Sequence, residues 1–426
     1  MSALSLFGVL FAFVASGMPF FVGLGILSLI LFWRDGWLLS DLLRFYAEPL
    51  HSSAAIAIPF IVITATFMQR GGVAEALARA AYAWVGWMRG GLALSTLAAA
   101  VLFAMVCGTS MVPALAIGTV LFPAMIDKGH DRPFALGVAG AAGMPGILFA
   151  PSLAIVVYAA LTGTPVRSLL LAALFPGLLL TLLIAIRILR TASRRGYFSG
   201  EVLPRGEFFR TNLQAAPALA IPLIFCVGIY GGWLDIAEAA GLAALAAMAI
   251  SLGFYRNSRL REMPGLIAEA VRNAAGIALV IAVSASLYLW MRESGMAENF
   301  SAFAARNGLS TWPFLILTNI AMLLLGMFLE VIAVILIVVP FVLPLFDALG
   351  IDPVHFGILL VINLELALMT PPLGLNLYIL SSISTAPVTE IFSGIAPFLL
   401  ILALVLAIVT FIPDVTLLLP GLIVGP

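Results

Sequence analysis

The chain has 426 residues, of which 63% are hydrophobic and 9% charged, whereas soluble domains are about half apolar and a quarter charged. This composition excludes an ordinary soluble fold and predicts an all-α polytopic membrane protein. Twenty basic residues balance twenty acidic ones, so no basic surface for nucleic acid is expected. The cysteines and histidines are scattered and no phosphate loop, nucleophile elbow or HExxH motif occurs, which argues against a zinc site and an enzyme.

Apolar stretches in chain order predict nine membrane spans and two hairpins that enter and leave the membrane on one side. The predicted spans are 3–33, 54–69, 134–163, 168–190, 213–232, 234–255, 273–291, 353–383 and 391–412, and the predicted hairpins are 91–125 and 312–346. The basic loop from Arg187 to Arg210 is cytoplasmic by the positive-inside rule. Counting from it places fifteen of the twenty basic residues inside. Residues 1–33 fit one long span or two short ones.

The chain also repeats itself. Six pairs of identical residues lie 221 positions apart, namely Pro123 and Pro344, Gly129 and Gly350, Asp131 and Asp352, Pro151 and Pro372, Thr164 and Thr385, and Pro176 and Pro397. The predicted domains are an N-terminal scaffold (1–51), a first repeat (52–178), a cytoplasmic loop with a scaffold hairpin (179–272), a second repeat (273–399) and a C-terminal tail (400–426). The hairpins enter from opposite sides, so the repeats are predicted to be inverted, as in many secondary transporters.

Each repeat combines a hairpin tip with an interrupted helix. Ions and substrate are expected to bind near these interruptions. Proline disfavours helix around itself, and unwound backbone at membrane depth frees carbonyl groups. Carbonyl and hydroxyl oxygens suit sodium, while helix N-termini suit a carboxylate. The predicted sodium ligands are Gly108, Thr109, Ser110, Gly146, Thr370, Gly374 and Asn376, and the predicted substrate-binding residues are Ser110, Pro151, Ser152, Pro371, Pro372 and Asn376. Helix caps and packing kinks remain the alternative explanation of these residues.

Three acidic residues, Glu238, Glu330 and Glu365, lie within apolar stretches and are predicted to be structural or coupling acids. Glu365 is expected to accept hydrogen bonds from helix-end amides near the second interruption. Glu238 is expected to belong to the scaffold, and Glu330 is left open between the two roles. Amphipathic segments at 73–89 and 258–272 predict interfacial helices on the cytoplasmic face.

Several of these motifs resemble one protein family. The sequences GTSMVPALAIG from Gly108, GILFAPS from Gly146 and YAALTGTP from Tyr158 resemble the large membrane subunit of tripartite ATP-independent periplasmic (TRAP) transporters of the dicarboxylate type. The sequences EVIAVILIVVPFVLPL from Glu330 and GIDPVHFGILLVINLELALMTPPLGLNLY from Gly350 are similar to it over the second repeat. Thr109, Ala150 and Val331 depart from residues common in that family, so ion affinity or substrate choice is expected to differ.

The resemblance implies an ion-transporter-superfamily fold with an elevator mechanism in the bacterial inner membrane. It implies sodium ions as coupling ions with no other cofactor, a periplasmic solute-binding protein, and a small four-helix membrane subunit as a separate chain. The implied substrates are organic anions, mostly carboxylates such as C4-dicarboxylates. The alternative is a stand-alone sodium- or proton-coupled anion carrier or antiporter, and an intramembrane enzyme or a channel is a more distant one.

Overall fold

The computed structural model describes residues 20–37, 39–69, 72–149, 152–197, 200, 202–256, 259–295, 302, 310–372 and 374–425. This part of the chain is helical and contains no β-strand. The helices are α1 (Phe20–Arg34), α2 (Leu39–Ala47), α3 (Ser53–Gln69), α4 (Val73–Val85), α5 (Gly91–Cys107), α6 (Met111–Asp127), α7 (Arg132–Ala141), α8 (Leu153–Thr162), α9 (Val166–Arg195), α10 (Arg205–Phe225), α11 (Ile236–Ala249), α12 (Met263–Glu293), α13 (Thr311–Gly326), α14 (Val331–Val342), α15 (Pro353–Leu368), α16 (Leu375–Ser384), α17 (Val388–Phe411) and α18 (Asp414–Ile423).

Length and composition fit a membrane protein. Among the described residues, seven helical stretches are long and apolar enough to cross a bilayer, and a pair bent by 63° at Leu42–His51 and Ser53–Gln69 makes eight if it counts as one span. The predicted polytopic α-helical fold is therefore confirmed. Most of the predicted first span, and Arg70, lie outside the described residues.

Two hairpins turn back inside the fold, as predicted. Hairpin 1 consists of α5 and α6, and α5 ends where Gly108 adopts a left-handed conformation with φ 67° and donates its N–H to the Ala104 carbonyl, as glycine C-caps do. Hairpin 2 consists of α13 and α14. Its two ends meet, because the Thr311 hydroxyl donates to the Leu349 carbonyl at 2.7 Å. Hairpin 2 thus enters and leaves on the same side.

Each repeat also contains a helix that breaks near its middle. In the first, α7 ends at Ala141 and α8 begins only after Ser152, whose hydroxyl accepts from the Ile155 N–H. In the second, α15 ends at Leu368 and α16 begins after Gly374, which has φ 49°. The two first halves, α7 and α15, begin 221 positions apart, which is the spacing of the sequence repeat.

The two repeats pack crosswise around a common centre. The second arm of hairpin 1, α6, contacts α16 of the second repeat, and the second arm of hairpin 2, α14, contacts α8 of the first. Likewise α7 packs on α17 and α9 packs on α15. At the α7–α17 crossing the backbones touch, since a Cβ added to Gly137 would lie 2.2 Å from the Gly394 carbonyl oxygen. This exchange of partners is what two inverted repeats produce.

Outside this centre lies a scaffold of apolar helices. Helix α3 packs against α11 and α12, α10 packs against α4 and α11, and α1 packs on α12. The amphipathic helix predicted at 73–89 is present as α4, whereas the separate helix predicted at 258–272 is not. Pro264 stands in the first turn of α12, where proline is favoured, and the helix then runs without another proline to Glu293. Residues from Met263 onward therefore belong to one 31-residue helix.

Polar contacts at the helix ends agree with the predicted sides of the membrane. Each contact joins two segments that the charge count places on the same side. They join Arg195 to Asp131 and Arg132 to Glu390 on the cytoplasmic side, and Trp290 to Asp35 and Ser53 to Asp235 on the outer side.

Candidate functional site

Both hairpin tips reach one cavity at the centre of the fold, which we call the central cavity. Its volume is about 70 Å³, enough for a few water molecules or a partly hydrated ion. Its lining comes from both tips, from α8 and from α15. The lining residues are Gly108, Thr109, Ser110, Met111, Ile147, Ser152, Leu153, Ala154, Glu330, Val331, Ile332, Val361, Glu365 and Leu368. The predicted convergence of the two repeats on one cavity is therefore present in the structure.

Ser110 joins the tip of hairpin 1 to the broken helix of the other repeat. Its hydroxyl donates to Glu365 Oε2 at 2.8 Å and accepts from Asn376 Nδ2 at 3.1 Å. All three side chains are buried. Ser110 stands at the N-cap of α6 but makes no capping bond through its side chain, so its hydroxyl links the repeats instead of capping a helix.

Three buried oxygen atoms near this link have no hydrogen-bond partner among the described residues. They are Thr109 Oγ1, Glu365 Oε1 and Asn376 Oδ1. Buried polar atoms in folded proteins are almost always paired with protein, water or an ion. A hydroxyl, a carboxylate and an amide oxygen are the ligand types that hard cations prefer. Oxygen ligands without a thiolate or an imidazole fit a hard cation better than a soft transition metal.

Helix N-termini surround the same space. The first residues of α6, α8 and α14 line the central cavity, and Asn376 of α16 bonds the lining residue Ser110. Their free N–H groups and dipoles favour negative charge. Among the described lining residues the charged side chains are Glu330 and Glu365, with no Lys, Arg or His. The site can thus bind an anion with its backbone, provided that cations offset the two carboxylates.

The predicted site residues divide into two groups. Gly108, Thr109, Ser110, Ser152, Glu330 and Glu365 line the central cavity, and Asn376 is one hydrogen bond away. Gly146 does not line it, because its Cα faces α5 so closely that a Cβ would lie 2.2 Å from Ala104. Thr370, Pro371, Pro372 and Gly374 form the second break but do not line it in this conformation. Pro151 lies outside the described residues.

Two of these residues have local structural partners. The Thr370 hydroxyl donates to the Leu366 carbonyl of its own helix at 2.6 Å. Gly374 adopts a positive φ that favours glycine at the start of α16. Both observations explain the residues as helix-end geometry in this conformation, while their part in ion binding stays a prediction.

The three acids have different surroundings. Glu238 completes a capping box with Asp235 at the start of α11, which gives it a structural role at that helix end; its assignment to the scaffold stays a prediction. Glu330 accepts from the Ile332 N–H as the N-cap of α14 and also lines the central cavity. The expectation that Glu365 binds helix-end amides is wrong in the described structure, where its bonded partner is the Ser110 hydroxyl. A hydroxyl from the opposite repeat reaches it because α6 crosses at this level.

Tyr230 is a residue that the sequence did not single out. It ends a π-helical turn, Cys226–Tyr230, which follows α10. Its hydroxyl donates to the Phe149 carbonyl at 2.7 Å, directly at the break between α7 and α8. The only sequence signal was its position before the Gly231-Gly232 turn, which says nothing about a partner 81 residues away.

Comparison with known proteins identifies relatives along the whole chain. The family model of the tripartite ATP-independent periplasmic transporter, DctM component, matches residues 7–415. The C4-dicarboxylate TRAP transporter large permease protein DctM of Rhodobacter capsulatus is 34% identical over 99% of this chain and 100% of its own length. The sialic acid TRAP transporter large permease protein SiaM of Vibrio cholerae is 32% identical over 87% of each chain.

A solved structure has the same fold. The crystal structure of the Alcanivorax borkumensis YdaH transporter, described as having an unusual topology, matches with a TM-score of 0.63 over 90% of this chain and 89% of that one. The two sequences are 14% identical. This similarity supports the arrangement of helices and hairpins described above.

Proposed function

The chain belongs to the DctM component family of tripartite ATP-independent periplasmic transporters, and we propose that it imports a small organic anion with sodium ions. It is a multi-pass protein of the bacterial inner membrane and a transport protein. We propose further that a periplasmic binding protein delivers the anion and that a small four-helix membrane subunit accompanies this chain. The observation that carries the proposal is the central cavity, which is lined by both hairpin tips and by Thr109 and Glu365, each with an unpaired buried oxygen.

The ligand types at the cavity support sodium coupling. Thr109 Oγ1, Glu365 Oε1 and Asn376 Oδ1 are buried acceptors without a partner among the described residues. A sodium ion in the central cavity would give Thr109 Oγ1 and Glu365 Oε1 a partner and would offset the charge of Glu365. The protein would supply these oxygens from the tip of hairpin 1 and from α15, and the ion would supply the positive charge that the described lining lacks.

The helix N-termini support an anionic substrate. A carboxylate placed among the starts of α6, α8 and α14 would be favoured by the partial positive charge of these helix ends, although the N–H groups of Leu153, Ile155 and Ile332 already have acceptors. Because Glu330 and Glu365 stand nearby, an anion would bind well only after cations. Relatives of similar identity carry the names of a C4-dicarboxylate and a sialic acid transporter. We therefore assign the substrate to the carboxylates, with a C4-dicarboxylate as the first to test.

Alternating access would come from motion of one block against another. The core block comprises the described residues of 91–195 and 311–411, which hold the hairpins and broken helices. The scaffold block comprises those of 20–69 and 205–293. The two repeats exchange helices within the core block, so the central cavity would move with it as a unit. Such movement is an elevator mechanism.

Uptake into proteoliposomes tests the proposal. Vesicles would contain this chain with its small membrane subunit, and the outside would contain the binding protein loaded with radiolabelled succinate or sialic acid. Uptake of one of them should require an inward sodium gradient and the binding protein. Full uptake in sodium-free medium with a proton gradient would contradict sodium coupling. Efficient uptake of free substrate at micromolar concentration without the binding protein would instead indicate a stand-alone carrier.

A pair of matched variants connects the result to the site. Thr109→Val removes the unpaired hydroxyl but keeps the side-chain shape, so the sodium concentration for half-maximal uptake should rise. Thr318→Val is the control, because the Thr318 hydroxyl is buried in hairpin 2 and bonds the Phe314 carbonyl of its own helix. Equal sodium dependence of the two variants would remove Thr109 from the ion site.

A further inference from the structure

Tyr230 connects the two blocks through both of its polar groups. Its hydroxyl donates to the Phe149 carbonyl of the core block at 2.7 Å. Its own carbonyl accepts from Arg167 Nη2, in the first turn of α9, at 3.3 Å. Both partners belong to the core block, whereas Tyr230 belongs to the scaffold block. We call these three residues the clasp.

The Phe149 carbonyl depends on Tyr230 because the break deprives it of a helical donor. In a continuous helix it would accept from the N–H of Leu153, four residues later. Here that N–H donates to the Gly108 carbonyl at the tip of hairpin 1, at 3.1 Å. The Tyr230 hydroxyl takes its place. The Phe149 carbonyl is partly buried, and a carbonyl shielded from water is stabilised by a donor, so the tyrosine stabilises the break in the form seen here.

The turn after Tyr230 is shaped to contact Arg167. Gly232 has φ 73°, and a Cβ there would lie 2.8 Å from the guanidinium carbon and both terminal nitrogens. The backbone of the scaffold turn therefore rests on the guanidinium. Beside this contact an outer cavity of about 450 Å³ lies between the two blocks, with Thr164 on one wall and Trp233 on the other.

We propose that the clasp is a conformational positioning device: Tyr230 holds the first broken helix in its present form and must release both partners whenever the core block moves. The inference depends on the block movement proposed above, and it adds the residue that opposes the movement. A π-helical turn at Cys226–Tyr230 places the tyrosine there, and such turns recur at functional sites. Opening the clasp frees the Phe149 carbonyl at the break, within the core block.

Three tyrosine variants make the test selective. Tyr230→Phe removes a hydroxyl that crosses between the blocks. Tyr158→Phe removes one that bonds the Pro353 carbonyl within the core block at 2.7 Å, and Tyr255→Phe removes one that bonds the Gln214 carbonyl within the scaffold block at 3.0 Å. The chemical change is the same in all three, so only the location of the bond differs.

The readout is the distance between the blocks in the full chain with its small subunit in lipid vesicles. Spin labels at the exposed positions Leu178, in the core block, and Leu223, in the scaffold block, would be introduced after replacing the two native cysteines by alanine. Pulsed electron spin resonance then gives the populations of the two conformations, with and without sodium and succinate. Tyr230→Phe should lower the ratio of clasped to unclasped protein by roughly two- to tenfold, the factor expected for one neutral hydrogen bond. Tyr158→Phe and Tyr255→Phe should leave the ratio unchanged.

The possible results separate the clasp from the proposed function. If sodium or substrate shifts the distance in the unmodified tyrosine protein but Tyr230→Phe does not alter the ratio, the clasp is refuted and the block movement stands. If all three variants shift the ratio equally, a general loosening explains the effect and the clasp is again refuted. If no second distance occurs under any condition, both the movement and the clasp fail.

Discussion

Replacing Ser110 by alanine removes the side chain that links hairpin 1 to the broken helix of the second repeat. Two hydrogen bonds are lost, one to the Glu365 carboxylate at 2.8 Å and one from the Asn376 amide at 3.1 Å. A bond to a charged group contributes about 1.5–3 kcal/mol and a neutral one about 0.5–1.5 kcal/mol. The variant should therefore destabilise the site by about 2–4 kcal/mol. Since about 1.4 kcal/mol corresponds to a tenfold change in binding, half-maximal uptake should need at least roughly tenfold more sodium.

Sodium-dependent uptake in proteoliposomes measures this change, and Ser95→Ala is the control. Ser95 is equally buried in hairpin 1, but its hydroxyl bonds the Gly91 carbonyl of its own helix at 2.8 Å, so its removal should leave sodium dependence unchanged. Ser110→Ala and Glu365→Gln should also be non-additive, because both alter the same contact: the first removes the donor and the second replaces the charged acceptor by a neutral one. Equal sodium dependence for Ser110→Ala and Ser95→Ala, or strict additivity with Glu365→Gln, would refute the role of Ser110.

Two further predictions concern stability. Gly137→Ala should lower the melting temperature, because the added methyl would lie 2.2 Å from a carbonyl oxygen of α17 and overpacking costs about 1–3 kcal/mol. Gly241→Ala is the control, because the space around Gly241 is open, and it should not lower the melting temperature. Burial lowers the pKa of His130, in the loop before α7, below its ordinary value of 6.5. The unfolded chain therefore takes up a proton at a higher pH than the folded one, and stability falls as pH drops below about 6.5. His130→Phe should reduce this pH dependence of the melting temperature, and an identical slope in both proteins would contradict the assignment.

Helix positions and interruptions were predictable because they depend on local properties. Apolar length marks a span, glycine ends α5 at Gly108, and the prolines of the second break exclude regular helix whatever the rest of the chain does. The internal repeat was also predictable from the sequence, since α7 and α15 begin 221 positions apart, at the spacing of the matched prolines. The predicted start of one helix was wrong. The amphipathic pattern at 258–272 did not reveal whether this segment is the first part of α12 or a separate helix before it, because a polar helix end and a separate interfacial helix carry the same pattern.

The sequence could not predict which residues form hydrogen bonds with each other across the centre of the fold. Ser110 and Glu365 are 255 residues apart, and their contact exists because α6 crosses into the other repeat. The sequence marked both residues as chemically interesting, yet it assigned Glu365 to helix-end amides, since nearby residues are the only candidates that a linear sequence offers.

Tyr230 also illustrates which features the sequence determines and which require the tertiary structure. The charge count predicts that its turn lies on the outer side, and the family motifs identified the type of transporter. Nothing local distinguishes this tyrosine from Tyr158 or Tyr255, which also donate a hydroxyl to a backbone carbonyl. Only the packing of the scaffold hairpin against the first broken helix brings its hydroxyl to the Phe149 carbonyl. A hydrogen bond between blocks is a property of their relative position, and that position is set by the packing of the whole chain.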